Sequence, residues 1–239
     1  MRTILRIMSL VLLAGCVQET SDSEEAHVVT IHRTDGTVYS EVSYKGEKPH
    51  GPSRIYHPNG KLYLEIAYRD GVKHGSSKQY YQNGMLYLEA DYVNGVMEGL
   101  AKKYHKDGKL KAEMLFRDDF PCAGLKEYIL NGDPRPHYPE IIITPESKLL
   151  TNNEYLLHVS LSERVQAATF FIGQLNSDCL HDALQDVSLD GTDKGTISIN
   201  VVPGESIRGV INIIARIETI AGNILVTQQT HRLEIDFSY

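Results

Sequence analysis

The 239-residue chain has no tryptophan, only three cysteines and fewer basic than acidic residues. Its 24 lysines and arginines stand against 31 aspartates and glutamates, a formal net charge of −7 at pH 7. Proteins that neutralise nucleic-acid phosphates need an excess of positive charge, so this balance argues against DNA, RNA and anionic lipid as partners. No apolar run is long enough to cross a bilayer as a helix.

Catalytic motifs are also missing. The sequence has no G-x-S-x-G, no G-x-x-x-x-G-K-[ST], no H-E-x-x-H and no G-x-G-x-x-G. The ten histidines lack the spacing of zinc ligands, and Cys179-x-His181-Asp182 has no nucleophile motif around it. We therefore expect no enzyme activity, no cofactor and no metal site.

The first residues carry a targeting signal. Two arginines precede an apolar run from Ile7 to Leu13, a pattern typical of secretory signals. The Leu-Ala-Gly-Cys segment that ends at Cys16 resembles the lipobox of bacterial lipoproteins. The resemblance implies that residues 1–15 are removed as a signal peptide and that acyl chains on Cys16 enter the lipid bilayer. The alternative is a simple cleavable signal with an incidental cysteine.

The lipobox resemblance also bears on location and on the other cysteines. We expect the protein in the bacterial cell envelope, anchored to the outer membrane and facing either the periplasm or the cell surface. Residues 16–27 then form a flexible acidic tether. In this oxidising compartment Cys122 and Cys179 are an even pair, either bridged by a disulfide or present as two buried thiols.

An internal repeat of 24 residues is the strongest signal in the chain. Tyrosine, glutamate and glycine positions recur in register, and Asn-Gly or Asp-Gly pairs mark the turns. The turn glycines are Gly36, Gly60, Gly84, Gly108 and Gly132. The unit G-x-x-[KR]-x-Y-x-x-[ND]-G-x-L-x-x-E-x-x-Y-x-x-G-x-x-x resembles the variant class of the MORN repeat, whose bacterial members are often named YwqK-type antitoxins. The resemblance covers residues 28–137. Because tryptophan is missing, lipid-binding roles of eukaryotic MORN proteins are not carried over.

The repeat predicts a stack of antiparallel β-hairpins. Asn-Gly and Asp-Gly pairs favour two-residue type I′ turns, which fix the register of the flanking strands. In the second unit Arg54 then faces Glu65 and Tyr56 faces Tyr63. The equivalent pairs of the third unit are Lys78 with Glu89 and Tyr80 with Tyr87. Alternation places these residues on one face, and it places Leu62, Leu64, Ile66 and Tyr68 on the other.

Residues 138–239 follow a different pattern. About seven strand-like runs are separated by turn signals such as Pro203-Gly204. Seven strands in about a hundred residues predict an immunoglobulin-like β-sandwich. Residues 176–188 are the exception, since their spacing fits a short helix or an ordered crossover. The predicted fold class is all-β, an antiparallel MORN-like hairpin stack followed by an immunoglobulin-like β-sandwich.

The face that carries the tyrosines and charges is the candidate binding surface. Its residues are Arg54, Tyr56, Tyr63, Glu65, Lys78, Tyr80, Tyr87 and Glu89. We expect a non-enzymatic, lipid-anchored envelope protein that binds or scaffolds an unidentified envelope protein or glycan. The same residues could instead serve only to stabilise the sheet. A second hypothesis is an antitoxin or immunity-type protein that neutralises a partner acting in the envelope.

Overall fold

The computed structural model describes residues 25–190 and 194–238. The predicted signal peptide and the lipidation site at Cys16 lie outside these residues, as does most of the predicted tether. The N-terminal array contains β1 (Ala26–His32), β2 (Val38–Lys45), β3 (Lys48–Tyr56), β4 (Leu62–Arg69), β5 (Val72–Tyr80), β6 (Leu86–Val93), β7 (Val96–Met97), β8 (Gly99–Tyr104), β9 (Leu110–Arg117), β10 (Phe120–Pro121) and β11 (Lys126–Glu127). The C-terminal part contains β12 (Ile141–Lys148), α1 (Leu149–Asn152), β13 (Glu154–Leu161), β14 (Ala167–Ile172), β15 (Gln185–Val187), β16 (Gly195–Asn200), β17 (Ser206–Glu218) and β18 (Ile224–Asp236).

Strands β1 to β11 form a single antiparallel sheet that follows chain order. The path runs from β1 through β6 to β8, β9 and β10, while β7 pairs with β6 and β11 pairs with β9. Each 24-residue unit adds two strands, so the sheet grows by one hairpin per repeat. The first strand starts at Ala26, inside the predicted tether. Together with the antiparallel C-terminal sheets, this array confirms the predicted all-β fold.

The turns within the repeats differ from the predicted type I′ geometry. His57 N donates to Lys61 O and Gly60 N donates to His57 O, which closes a loop over residues 58–60. Of the Asn59-Gly60 pair only the glycine has a positive φ, 78°. Asn59 stays right-handed and accepts a hydrogen bond from Lys61 N at 3.1 Å through its side-chain oxygen. The result is a type I turn followed by a left-handed glycine. The same backbone hydrogen bonds close the turns at Gly36, Gly84, Gly108 and Gly132.

Both central residues take positive φ at the opposite edge of the sheet, where one unit joins the next. Asp70-Gly71 has φ values of 51° and 87°, and Asn94-Gly95 has 50° and 96°. Positive φ at both central residues is the type I′ geometry that matches the twist of a two-residue hairpin. The expectation that Asn-Gly and Asp-Gly pairs form type I′ turns therefore holds for Asp70-Gly71 and Asn94-Gly95. It does not hold for the five recurring pairs at the turn glycines.

Replacing Gly60 by alanine should destabilise the array. An L-residue in the left-handed region costs roughly 1–2 kcal/mol, although nothing within 4 Å would meet the added methyl group. Gly209→Ala is the matched control, because Gly209 lies in β17 without a positive φ and has equally open space. Urea unfolding should show a loss for Gly60→Ala alone. Equal stability of the two variants would mean that the turn does not need glycine.

The register of the hairpins is as predicted for the charged pair and shifted for the tyrosines. Arg54 pairs with Glu65, but Tyr56 pairs with Leu62 rather than with Tyr63. The loop has three residues instead of the predicted two. The residues next to the loop therefore pair with a register that is shifted by one position from the predicted register. Tyr63 is consequently the extra residue of a β-bulge. The same shift recurs in the third and fourth units.

The C-terminal residues form two antiparallel sheets that pack face to face. One has the order β12-β13-β16 and the other β15-β14-β17-β18. Their facing sides bury Leu157, Phe170, Ile213 and Ile217 completely. Residues 176–188 contain strand β15 and no helix, so of the two predicted alternatives, a short helix or an ordered crossover, the helix is wrong.

The array and the sandwich share hydrophobic cores. Ala112 and Leu125 of the array belong to the cluster that fills the sandwich. Phe120 packs against a second cluster, which includes Ile214 and Val226 of the four-stranded sheet. One side of the array, at its C-terminal end, therefore rests on the sandwich.

Candidate functional site

A ladder of alternating charges crosses the array. One residue from each of eight strands is directly opposed to the next through the pairing register. From β2 to β11 these residues are Glu41, Arg54, Glu65, Lys78, Glu89, Lys102, Glu113 and Lys126. Acid and base alternate throughout, so every cross-strand pair is attractive and the ladder is neutral as a whole. We call this side of the sheet the ladder face and the opposite side, which carries Leu64 and Leu88, the apolar face.

A row of tyrosines runs beside the ladder. Each follows a ladder cation by two positions, which keeps it on the same face. The row consists of Tyr56, Tyr80, Tyr104 and Tyr128. Three of these hydroxyls donate to ladder carboxylates: Tyr56 to Glu41 at 2.6 Å, Tyr104 to Glu89 at 2.5 Å and Tyr128 to Glu113 at 2.9 Å. All four rings are half-buried, so part of each remains accessible.

The hydrogen bonds to the ladder carboxylates contribute to raised pKa values of Tyr56, Tyr104 and Tyr128. The bond to Glu41 is the main cause that raises the pKa of Tyr56 above its usual value. Burial, followed by the bond to Glu89, raises the pKa of Tyr104 to about 12. Arg54 donates to Glu65 at 2.6 Å, and this bond raises the arginine pKa. At physiological pH Tyr56 and Tyr104 are therefore neutral and Arg54 is positively charged.

The predicted binding surface is divided between the two faces. Six of its residues lie on the ladder face, namely Arg54, Tyr56, Glu65, Lys78, Tyr80 and Glu89. The bulge turns Tyr63 and Tyr87 to the apolar face, which corrects the prediction. Tyr63 accepts a hydrogen bond at 2.8 Å from Gln79, the partner of Leu64, and Tyr87 lies under Lys103, the partner of Leu88. By the same shift Leu62 opposes Tyr56 and lies on the ladder face, not with Leu64 as predicted.

A buried carboxylate joins the array to the sandwich. Glu127 is only 4% exposed and accepts hydrogen bonds from Thr219 Oγ1 at 2.6 Å, Asn223 Nδ2 at 2.7 Å and Arg135 Nη1 at 2.8 Å. Burial alone would raise the pKa of Glu127, but the three hydrogen bonds and the positive charge of Arg135 outweigh it and lower the pKa. The β17–β18 turn is thereby fixed to the last strand of the array.

Sequence reasoning missed this junction, although the repeat contains a signal for it. Glu127 occupies the position that Ile55, Gln79 and Lys103 hold in earlier units, on the apolar face. Lys103 Nζ lies 3.2 Å from Gly222 O, so it also contacts the sandwich. A charge at an apolar-face position therefore marks the units that meet another part of the protein.

Cys122 and Cys179 are joined by a disulfide. Both are 2% exposed, and the bond links the end of the array to the segment that follows β14. Backbone hydrogen bonds from Ala123 N to Asp178 O and from Leu180 N to Pro121 O support the same contact. Cys179 consequently has no free thiol beside His181 and Asp182.

Metal-ligand clusters and membrane-spanning helices are both missing from residues 25–190 and 194–238. Within them no three histidine, cysteine, aspartate or glutamate side chains gather into a group that could hold a metal ion. No helix in this part of the chain is long and apolar enough to span a membrane.

Three segments of the array match the family model described as MORN repeat variant: residues 49–70, 73–94 and 97–118. Each segment spans one hairpin around a recurring turn glycine, so the chain carries three MORN repeat variants within an all-β protein. No curated protein gives a significant match. Among solved structures, the extracellular domain of BT4673, a proposed one-component system of B. thetaiotaomicron, is similar over 92% of this chain, with 13% identity and a TM-score of 0.24. This chain spans 32% of the length of that one.

Proposed function

We propose that this protein is a non-enzymatic, lipid-anchored module of the bacterial cell envelope that binds a partner through its ladder face. The observation that carries the proposal is the continuity of that face, where tyrosines and charges are held in register over eight strands. The contacts of Lys103 and Lys111 with the sandwich lie on the apolar face. A surface with ordered aromatic and charged side chains has the composition favoured at contact sites.

The expected anchor is compatible with the position of the first strand. Ala26 follows the lipobox cysteine by 26 − 16 = 10 residues. A fully extended segment of this length reaches at most about 35 Å. The array would then stay close to the membrane surface, within reach of other envelope components.

The anchor is tested by replacing Cys16 with serine in the full-length protein. The wild type should incorporate labelled palmitate and sediment with outer membranes, whereas Cys16→Ser should do neither. A Cys16→Ser protein that stays in the membrane fraction would contradict lipid anchoring.

The binding face is tested with two double variants that change the same residue type on opposite faces. Tyr56→Ser/Tyr80→Ser alters the ladder face, and Tyr63→Ser/Tyr87→Ser alters the apolar face. Capture of the partner from solubilised envelopes should fall at least about tenfold for the first variant and little for the second. Melting temperatures of both should be measured, since Tyr56 also bonds to Glu41. Equal capture by both variants would refute binding through the ladder face.

The neutralising alternative predicts a growth defect. Deleting the gene should leave growth unchanged if the protein is a binding or scaffolding module. Growth arrest that disappears when the chromosomal neighbour is also deleted would instead establish an antitoxin or immunity role.

A further inference from the structure

The ladder face has a regular period along the array. Neighbouring strands lie about 4.8 Å apart, so equivalent side chains two strands apart recur roughly every 9.6 Å. The strand order places Tyr56, Tyr80, Tyr104 and Tyr128 two strands apart in succession. An extended β-1,4-linked glycan repeats its disaccharide over a closely similar length. A periodic polymer of this kind could therefore meet one tyrosine per disaccharide.

The charges of the ladder favour a neutral polymer rich in hydroxyl groups. A polyanion or a polycation would be attracted by half of the ladder and repelled by the other half. Hydroxyl groups donate and accept hydrogen bonds, so they suit the carboxylates and the cations equally. The tyrosines bonded to Glu41, Glu89 and Glu113 are held in place before binding, which reduces the entropy cost of association.

Peptides match the ladder less well. In an extended strand the side chains of one face recur about every 6.7 Å, which is out of step with the tyrosine row. On one side of a polyproline II helix the side chains recur about every 9.3 Å, which fits the spacing of the tyrosine row better. Its prolines have no N–H group, however, so they would offer no hydrogen bonds to the ladder carboxylates.

A depression in the ladder face gives one sugar ring a place to bind. Its volume is about 340 Å³, and its lining includes Ser76, Glu89, Asp91, Leu100 and Lys102. It lies where the strand next to β6 is interrupted between β7 and β8. Two carboxylates, one ammonium group and one hydroxyl are thus gathered beside the half-exposed ring of Tyr104, which bonds to Glu89.

From these observations we infer that the ladder face binds an extended β-1,4-linked glycan, with one disaccharide per 24-residue repeat. The inference rests on the proposed function, because it requires the ladder face to be the binding surface. It adds the chemical class of the partner and the direction in which it lies, across the strands and along the tyrosine row.

The inference is tested by calorimetry on the full mature chain in detergent micelles, with β-1,4-linked N-acetylglucosamine oligomers of two, four and six sugars. Affinity should rise at least about tenfold from two to six sugars, because each added disaccharide reaches another tyrosine at high effective concentration. Tyr56→Ser/Tyr80→Ser leaves Tyr104 and Tyr128 in place, so it should keep the gain from two to four sugars and abolish the gain from four to six. Tyr63→Ser/Tyr87→Ser, on the apolar face, should retain it.

Maltohexaose, whose α-1,4 linkages give a different period, and a decaproline peptide are the competing ligands. Equal affinity for all oligomer lengths, equal binding of maltohexaose or tighter binding of the peptide would each overturn the inference. If no oligomer binds while capture from envelopes still depends on Tyr56 and Tyr80, the glycan assignment fails and the proposed function stands. If that capture is also insensitive to the ladder-face variant, both fail.

Discussion

Replacing Glu127 by alanine should lower the melting temperature of the protein by roughly 10 °C. The substitution leaves Arg135 with only the more distant carboxylate of Glu163, at 4.0 Å, and removes the acceptor of Thr219 and Asn223, which are 2% and 1% exposed. Breaking a buried ion pair on one side costs roughly 3–5 kcal/mol, since the remaining groups lose their partner without regaining water. Differential scanning calorimetry measures the effect.

Glu234→Ala is the control for this prediction. Glu234 forms an ion pair with Arg232 at 2.8 Å, but the two side chains are 65% and 81% exposed. Exposed pairs contribute at most about 1 kcal/mol, so the melting temperature should hardly change. Similar losses in Glu127→Ala and Glu234→Ala would show that the junction is not held by the buried carboxylate.

The same carboxylate should make the junction sensitive to acid. Its folded-state pKa lies below the ordinary value of 4.5, so the charged form contributes stability above pH 4.5. That contribution is lost as the pH falls from 4.5 through the lower pKa of the folded state. The melting temperature of Glu127→Gln should fall less steeply over this range than that of the wild type. If the melting temperatures of the wild type and of Glu127→Gln fell equally steeply below pH 4.5, Glu127 would not be the group that makes the junction sensitive to acid.

Removing the disulfide should lower the melting temperature by an amount comparable to that expected for Glu127→Ala. Cys122 and Cys179 are 57 residues apart in sequence, and closing a loop of this length restricts the unfolded chain by about 4 kcal/mol. Cys122→Ala/Cys179→Ala should therefore melt well below the wild type, and alanine avoids burying two hydroxyl groups. Dithiothreitol should lower the melting temperature of the wild type and leave the variant unchanged. Two free thiols in the unreduced native protein, detected by mass spectrometry, would contradict the bridge.

The repeat sequence was sufficient to predict the hairpins and their charged pairs. Arg54 opposes Glu65 and Lys78 opposes Glu89 because both strands of each unit keep a strict two-residue alternation away from the turn. The all-β class follows from the same kind of pattern. Such features depend on local periodicity, which is visible in a single sequence.

The position of the tyrosines could not be obtained in this way. A dipeptide such as Asn59-Gly60 is compatible with a two-residue and a three-residue loop, and the difference of one residue moves Tyr63 to the other face. The junction was hidden for another reason. Glu127 meets Thr219 and Asn223 from more than ninety residues away, and no local pattern brings these positions together.

Photo-cross-linking in intact cells at two adjacent serines tests the binding face most directly. Ser76 pairs with Asp91 and lies on the ladder face, whereas Ser77 pairs with Ala90 and lies on the apolar face. With a photoreactive residue at each position in turn, position 76 should give a cross-linked adduct that disappears in Tyr56→Ser/Tyr80→Ser, and position 77 should give none. Adducts from position 77 alone, or from both positions equally, would show that the ladder face is not the recognition surface.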